Sequence, residues 1–375
     1  MKSLKYLIPY CLFLCSNSYA FKGDPNILVA EMIAEIAIIQ KNHNFELAAV
    51  QDQISNIDKA LLSEVLLENK VNLLVQKDQL KTAIEQLKFN NSSEISKIRY
   101  IKGLQIIKIL YEKVLGLDHH FASVRTFSEI SKMANPNQYP EFEKIKDLVK
   151  AKREKKQGVD LTSVLGTNTL VSVINTFSNM MVSGLSKEEK EAELAKIECI
   201  LDFTLRMQND LNTIYFETAY LQASNNAIKS DIEALFKDYT KSINYLVSLS
   251  ECRNNDDWDK VSNLLNTYLI AMDKAQGVQK NKMLINLEFP IDRLIQFITQ
   301  YNNFINEGEK FYQKFSIILN SYENEKQCES KLPMEYKKLK ADINIAIEKF
   351  NVAYRPVEIN GTKMKEILYG INEFQ

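Results

Sequence analysis

The sequence predicts an all-α protein, an elongated helical bundle built from long, coiled-coil-like helices. Three observations predict it. Helix breakers are scarce, with 10 Gly and 7 Pro among 375 residues. They are also unevenly placed: no proline lies between Pro25 and Pro136 or between Pro140 and Pro290, and the first of these stretches holds only Gly103 and Gly116. A strand-rich chain needs both residue types at its turns. Finally, apolar residues recur at steps of three and four, the spacing of one helical face. The overall balance, 45% apolar and 25% charged, is that of an ordinary folded chain.

The elements follow in order. Residues 1–20 have the three parts of a cleavable export signal. Lys2 and Lys5 form a basic start, Leu7 to Leu14 a short apolar run, and Ser18-Tyr19-Ala20 a small-x-small cleavage site, so the mature chain is expected to begin at Phe21. The apolar run is too short to span a bilayer. Large residues precede Cys11 and Cys15, namely Tyr10 and Leu14, which argues against lipidation. Residues 21–158 read as an N-terminal helical hairpin region. Leu47, Val50, Ile54, Ile57 and Leu61 form an a/d seam. The step from Leu61 to Leu66 breaks its register, and a seven-residue spacing resumes through Leu66, Leu73, Leu80 and Leu87. An interrupted seam suits an intramolecular bundle better than a uniform dimeric coil. Asn90-Asn91-Ser92-Ser93 reads as the first connection, followed by a second helical region from about Glu94 to Met133 that Gly103 and Gly116 weaken. Asn135-Pro136 and Tyr139-Pro140 end it, and a short helix leads to the basic run Lys150, Lys152, Arg153, Lys155, Lys156.

Residues 159–186 stand apart as an amphipathic segment, uncharged from Leu161 onward. Leu170, Val173, Ile174, Phe177 and Met181 share one helical face, separated by Ser, Thr and Asn. The segment reads either as a central helix packed in the bundle or against a partner, or as a stretch that enters a bilayer, its basic flank suiting anionic lipid. Residues 187–353 form the long-helix region. Ser186-Lys187-Glu188-Glu189 is a capping box. It is expected to open the longest helix, to about Ser250, roughly 90 Å at 1.5 Å per residue, with a kink near Ser224-Asn225-Asn226. Asp256 is expected to cap a helix ending near Gly277, Pro290 to open a helix to about Glu325, and Pro333 one to about Ala353. Residues 354–375 are the C-terminal tail, with a short helix near Lys363–Tyr369.

Without Lys2 and Lys5 the chain carries 45 basic and 48 acidic residues, a net charge near −3. That balance argues against nucleic acid as a partner. An exported chain can form disulfides. Cys252 and Cys328 both fall near expected helix ends, so a Cys252–Cys328 bridge is the preferred pairing, while Cys199 reads as a small buried apolar residue.

Catalytic and metal signatures are missing. His119-His120 point about 100° apart on a helix and read as a solvated or partly packed pair, and His43 with Glu46 is a weak one-face pairing. There is no His-Glu-x-x-His, no Cys-x-x-Cys, no glycine-rich phosphate loop and no Gly-x-Ser-x-Gly elbow. Neither enzyme activity, a cofactor nor a metal is expected. Trp258, the one tryptophan, reads as a hydrophobic plug at a helix turn. Asn90, Asn91 and Asn360 stand in glycosylation sequons, although the signal and composition look bacterial.

Phe21-Lys22-Gly23-Asp24-Pro25-Asn26 leads from the signal straight into a helix rich in Gln, Asn and Lys. Gly184-Leu185-Ser186-Lys187-Glu188-Glu189 opens a long helix, and Asp259-Lys260-Val261 lies in a closing one. In these features residues 1–275 or so resemble the minor-pilin and conjugal-transfer periplasmic proteins of type IV secretion systems, the Bacteroidetes-type members among them. The chain differs in its uncharged insert and in the hundred residues that follow. The resemblance implies an extracytoplasmic structural or adhesive subunit without catalysis. The function expected is therefore that of an exported interaction subunit of an envelope-associated secretion or conjugal-transfer apparatus, periplasmic or extracellular. Its partners would be proteins of that complex or further copies of itself, with membrane contact allowed. The alternative is a helical pore-forming or membrane-perturbing protein that inserts residues 161–186.

Overall fold

The computed structural model describes residues 23–125, 186–323 and 334–357. The export signal, the basic run, the uncharged segment with Leu170, Val173, Ile174, Phe177 and Met181, Cys328 and the C-terminal helix lie outside the described residues. The fold is all-α, with no strand among the described residues. The helices are α1 (Pro25–Ser63), α2 (Leu67–Arg125), α3 (Lys187–Lys241), α4 (Leu249–Asn254), α5 (Trp258–Lys274), α6 (Gly277–Glu323) and α7 (Met334–Ala353).

Local chemistry explains most helix starts. Asp24 accepts a hydrogen bond from Asn26 N at 3.0 Å, and Pro25 takes the first helical position, where its missing N–H is not needed. Ser186 and Glu189 form the expected capping box on α3, with Glu189 N donating to Ser186 Oγ at 3.2 Å and Ser186 N to the Glu189 carboxylate at 2.9 Å. A second box, Ser248 with Glu251, opens α4. It ends the expectation that α3 continues to Ser250. The chain turns after Lys241 with Asn244 in the left-handed region, φ 57°, where asparagine is tolerated. Asp256 does not cap α5. It too has positive φ, Asp257 is the cap residue, and the Asp257 carboxylate accepts from Tyr245 Oη at 3.0 Å instead of binding the helix end.

Three expected breaks are helical. Asn90 to Ser93 lie inside α2, which at 59 residues, not α3, is the longest helix. Asn91, Ser93 and Ser96 are buried where α2 enters the core, and Ser96 Oγ donates to Glu288 at 2.9 Å. Their small polar side chains favour turns in isolation, yet here they permit close helix packing. That also disposes of Asn91 as a glycosylation acceptor, since the side chain is 8% exposed within a helix. Pro290 sits within α6 rather than at its start, flanked by buried Leu287 and Ile291. An interior proline costs about 3 kcal/mol of helix stability, which burial of this face offsets. Helix α3 runs on through Asn225. That side chain is buried, and its amide donates to Val114 O of α2 at 3.2 Å.

One hydrophobic core joins these helices. Its centre is α2 from Ile95 to Leu117 packed against α3 and α6, with Tyr111, Phe236, Tyr301 and Phe315 almost wholly buried. The start of α1 adds Leu28, Val29, Met32 and Ile36; α5 adds Val261, Leu265 and Met272; α7 adds Ile343 and Phe350. The described parts of regions 21–158 and 187–353 thus share one core. Gly103 is a packing residue rather than a weak point: a Cβ there would lie 2.4 Å from Tyr239 Oη and 3.0 Å from Leu294 Cδ2.

Candidate functional site

Residues 24–90 split into two regimes. As far as Ile36, α1 contributes to the core. From residue 37 to residue 90, across the end of α1, the turn and the first part of α2, no residue is buried. These residues form an antiparallel pair that leaves the core as an arm. Two ion-pair groups set its register: Lys77 with Asp58 near the outer end, and Lys102 with Glu31 at 2.7 Å and Glu35 at 3.0 Å at the base. Paired positions add to about 135, which sets the predicted seam of α1 against that of α2. The half-buried residues of the arm include those seam positions, His43, Leu47, Val50, Ile54, Ile57 and Leu61 on α1 and Leu73, Lys77, Leu80, Ile84 and Leu87 on α2, with flanking residues such as Asp58, Lys70 and Phe89. His43 is therefore a seam residue, and Glu46 beside it faces solvent.

The register break between Leu61 and Leu66 is the turn of this hairpin. Glu64 builds it. Its N–H donates to Ala60 O at 3.0 Å, and its carboxylate accepts from Val65 N at 2.9 Å and Leu66 N at 3.0 Å. Those two backbone hydrogen bonds hold the Glu64 carboxyl below its usual range. The turn is therefore closed by its own chain and needs no polar partner for its amides. Its side chains are another matter. Leu62 is 89% exposed, Val65 86% and Leu67 77%, and Leu66, Val71, Leu74 and Val75 are exposed as well. Hairpin turns favour Gly, Asn, Asp and Ser, and no described residue covers this aliphatic tip.

The other candidates resolve structurally. Cys252 is a free, buried thiol at the start of α4, and burial pushes it up from its usual range. The expected Cys252–Cys328 bridge is thereby corrected: Cys252 faces the core beside Tyr245, and the disulfide-bonded cysteine is Cys199, whose partner lies outside the described residues. Trp258 is a plug, as expected, half-buried edge-on to Phe236 with Lys108 Nζ 4.6 Å from its ring centre. His119 is exposed. His120 packs among Tyr312, Phe350 and Tyr354 and shares a hydrogen bond with Tyr312 Oη. Burial, with a smaller contribution from Lys349, pushes its imidazole down from about 6.5 to about 4, so it is a neutral packing residue at pH 7. No group of His, Cys, Asp and Glu able to hold a metal occurs among the described residues. None of the described helices is long and apolar enough to cross a membrane.

Glu233 shows how the charges outside the arm are used. Its carboxylate accepts from Leu249 N at 2.8 Å and Ser250 N at 3.0 Å, capping α4, and from Tyr111 Oη at 3.1 Å. Lys97 is held between Glu94 and Asp273, and Arg253 pairs with Glu112. These are structural ties between helices. The aliphatic tip, by contrast, gathers Leu62, Val65, Leu66, Leu67, Val71, Leu74 and Val75 in one short exposed run that no described residue covers. The sequence reading did not single it out. Its signal was Leu61-Leu62-Ser63-Glu64-Val65-Leu66-Leu67, a strongly apolar run at the point where the seam breaks and a polar turn belongs. No protein-family model, curated protein or solved structure compared with the chain matches it.

Proposed function

We propose that this chain is an exported, non-enzymatic interaction subunit of an envelope-associated secretion or conjugal-transfer apparatus, and that it acts through helix–helix contacts made by the α1–α2 arm. The exposed aliphatic tip of that arm carries the proposal. A helical pair that runs about 27 residues clear of the core reaches some 40 Å, at 1.5 Å per residue. That shape serves to reach a partner rather than to enclose a substrate. Exposed apolar patches of this kind mark interaction surfaces. The export signal of residues 1–20 and the resemblance of the first 275 residues or so to type IV secretion and conjugal-transfer proteins support the address.

The test is purification of the processed protein from its native envelope after mild cross-linking, with mass spectrometry of the captured proteins and of the chain's own N-terminus. The expected result is an N-terminus at Phe21 and capture of secretion or transfer components, lost when Leu67 and Leu74 are both replaced by Glu. Capture that survives this double substitution would remove the arm from the proposal. A processed chain that is monomeric and captures nothing would remove the function itself.

A further inference from the structure

We propose that the aliphatic face of the hairpin tip is the docking site for a second copy of this chain, the two tips packing face to face as a short four-helix bundle. This rests on the reading of the arm as an interaction element and names what occupies it. In an antiparallel helix pair, the residue that follows each seam position turns by about 100° toward the same side on both helices. Leu62 follows the seam residue Leu61 on α1. Leu67, Val71 and Leu74 follow Leu66, Lys70 and Leu73 on α2. All four are exposed, so they form one aliphatic face two helices wide. Leu67, Val71 and Leu74 also recur at i, i+4 and i+7, the anchor spacing of a helix that docks on helices.

Three observations select a second copy as the occupant. The first is area. With Val65 of the turn, the side chains of this face expose on the order of 600 Å² of surface, at the upper end of the roughly 300–600 Å² patch of a typical monomer and close to the about 800 Å² that each partner contributes to a standard-size interface. The second is charge. Around the tip, Lys59 and Lys70 stand against Glu64 and Glu68, so the patch is neutral and bears both signs. An isologous contact, in which the same patch meets itself, can then pair opposite charges across the axis. A bilayer would instead have to desolvate the charged Glu64 carboxylate at the leading edge. The third is extent. On the same face, the next positions down the arm are Asp58 and Asp78, after Ile57 and Lys77, and the aliphatic surface ends there. The contact is confined to the outer part of the arm. There, two stacked hairpins would complete around the half-buried seam the closed core that two helices alone lack.

The experiment is light scattering after size exclusion, run on the full chain over a range of concentrations, for wild type and for Leu67→Glu/Leu74→Glu. Both positions are exposed, so the helical circular dichroism should be unchanged; Val71→Lys on the same face is the second variant if the double substitution lowers helicity. The expected result is a dimeric wild type and a variant whose mass falls to half. A wild type that stays monomeric at every concentration overturns the proposal, as does a variant that dimerises as well as wild type. A monomeric wild type that captures an envelope protein or floats with anionic phosphatidylglycerol vesicles, in either case through the tip, overturns the second copy but not the interaction reading. A monomer that binds nothing removes both.

Discussion

Of the His119-His120 pair, His119 is the exposed member and His120 the packed one. As half of a His-His pair it invites a metal or acid–base role, yet Tyr312, Phe350 and Tyr354 enclose it and hold the imidazole neutral down to about pH 4. The consequence for stability has a definite sign. The unfolded chain takes up a proton at this residue near pH 6.5, whereas the folded chain resists until about pH 4. Stability from this site is therefore complete above pH 6.5 and is lost progressively as the pH falls from 6.5 to 4. Carboxylates titrate in the same window, so the measurement is a comparison of melting temperatures for wild type and His120→Gln between pH 7 and 4. The wild type should lose more. Equal slopes would mean that His120 is as free to ionise in the folded chain as in the unfolded one. At the same scale, Cys199 and Cys252 exchange the roles that the sequence suggests: proximity to a helix end is a weak guide, because a cysteine at a helix start can face the core, as Cys252 does.

Helix α2 is one element with two environments. From Ile95 to Leu117 it is central to the core, while its first 24 residues, as far as Asn90, contain none that is buried. Local opening depends on how much apolar burial holds a segment. Amide hydrogen exchange should therefore divide this continuous helix. Amides from residue 70 to residue 90 should exchange at least about tenfold faster than those from 98 to 117, the difference of about 1.4 kcal/mol in opening free energy that a modest loss of burial produces. Uniform protection along α2 would show that the arm is held by contacts other than its own seam. The same contrast explains the mistaken connection at Asn90 to Ser93. Polar small residues mark the point where α2 passes from arm to core, and the change of environment looks like a chain break when only the sequence is read.

At the scale of the molecule, a single core ties α2, α3 and α6 together, with α1, α5 and α7 added at its margins. Charged ties such as Lys102 to Glu31 and Glu35, and Arg253 to Glu112, lie across helix pairs at its surface, where such pairs contribute up to about 1 kcal/mol each. A covalent tie is added at Cys199 on α3. Peptide mapping without reduction should recover the Cys199 peptide in cross-linked form and the Cys252 peptide alone, with Cys252 reacting with thiol reagents only after denaturation. A native protein whose Cys252 reacts as fast as free cysteine would contradict its place in the core.

The all-α class was determined by the sequence alone. The scarcity of Gly and Pro and the three- and four-residue apolar steps are properties of the local chain, and helices are made by local hydrogen bonds. The box at Ser186–Glu189 and the seam residues Leu47 to Leu61 were legible for the same reason: each depends on residues within a turn or two of one another. Where the chain reverses was decided only in three dimensions. Asn91 and Pro290 look like breaks and are helical because burial against distant helices outweighs their local preference, while the turn at Glu64 lies in a run that looks helical. The disulfide assignment and the environment of His120 depend on contacts between residues far apart in sequence. So does the candidate site. Leucine and valine at a hairpin tip are ordinary core residues by composition. Only their exposure, with no helix among the described residues packed over them, marks them as a surface that another molecule can cover.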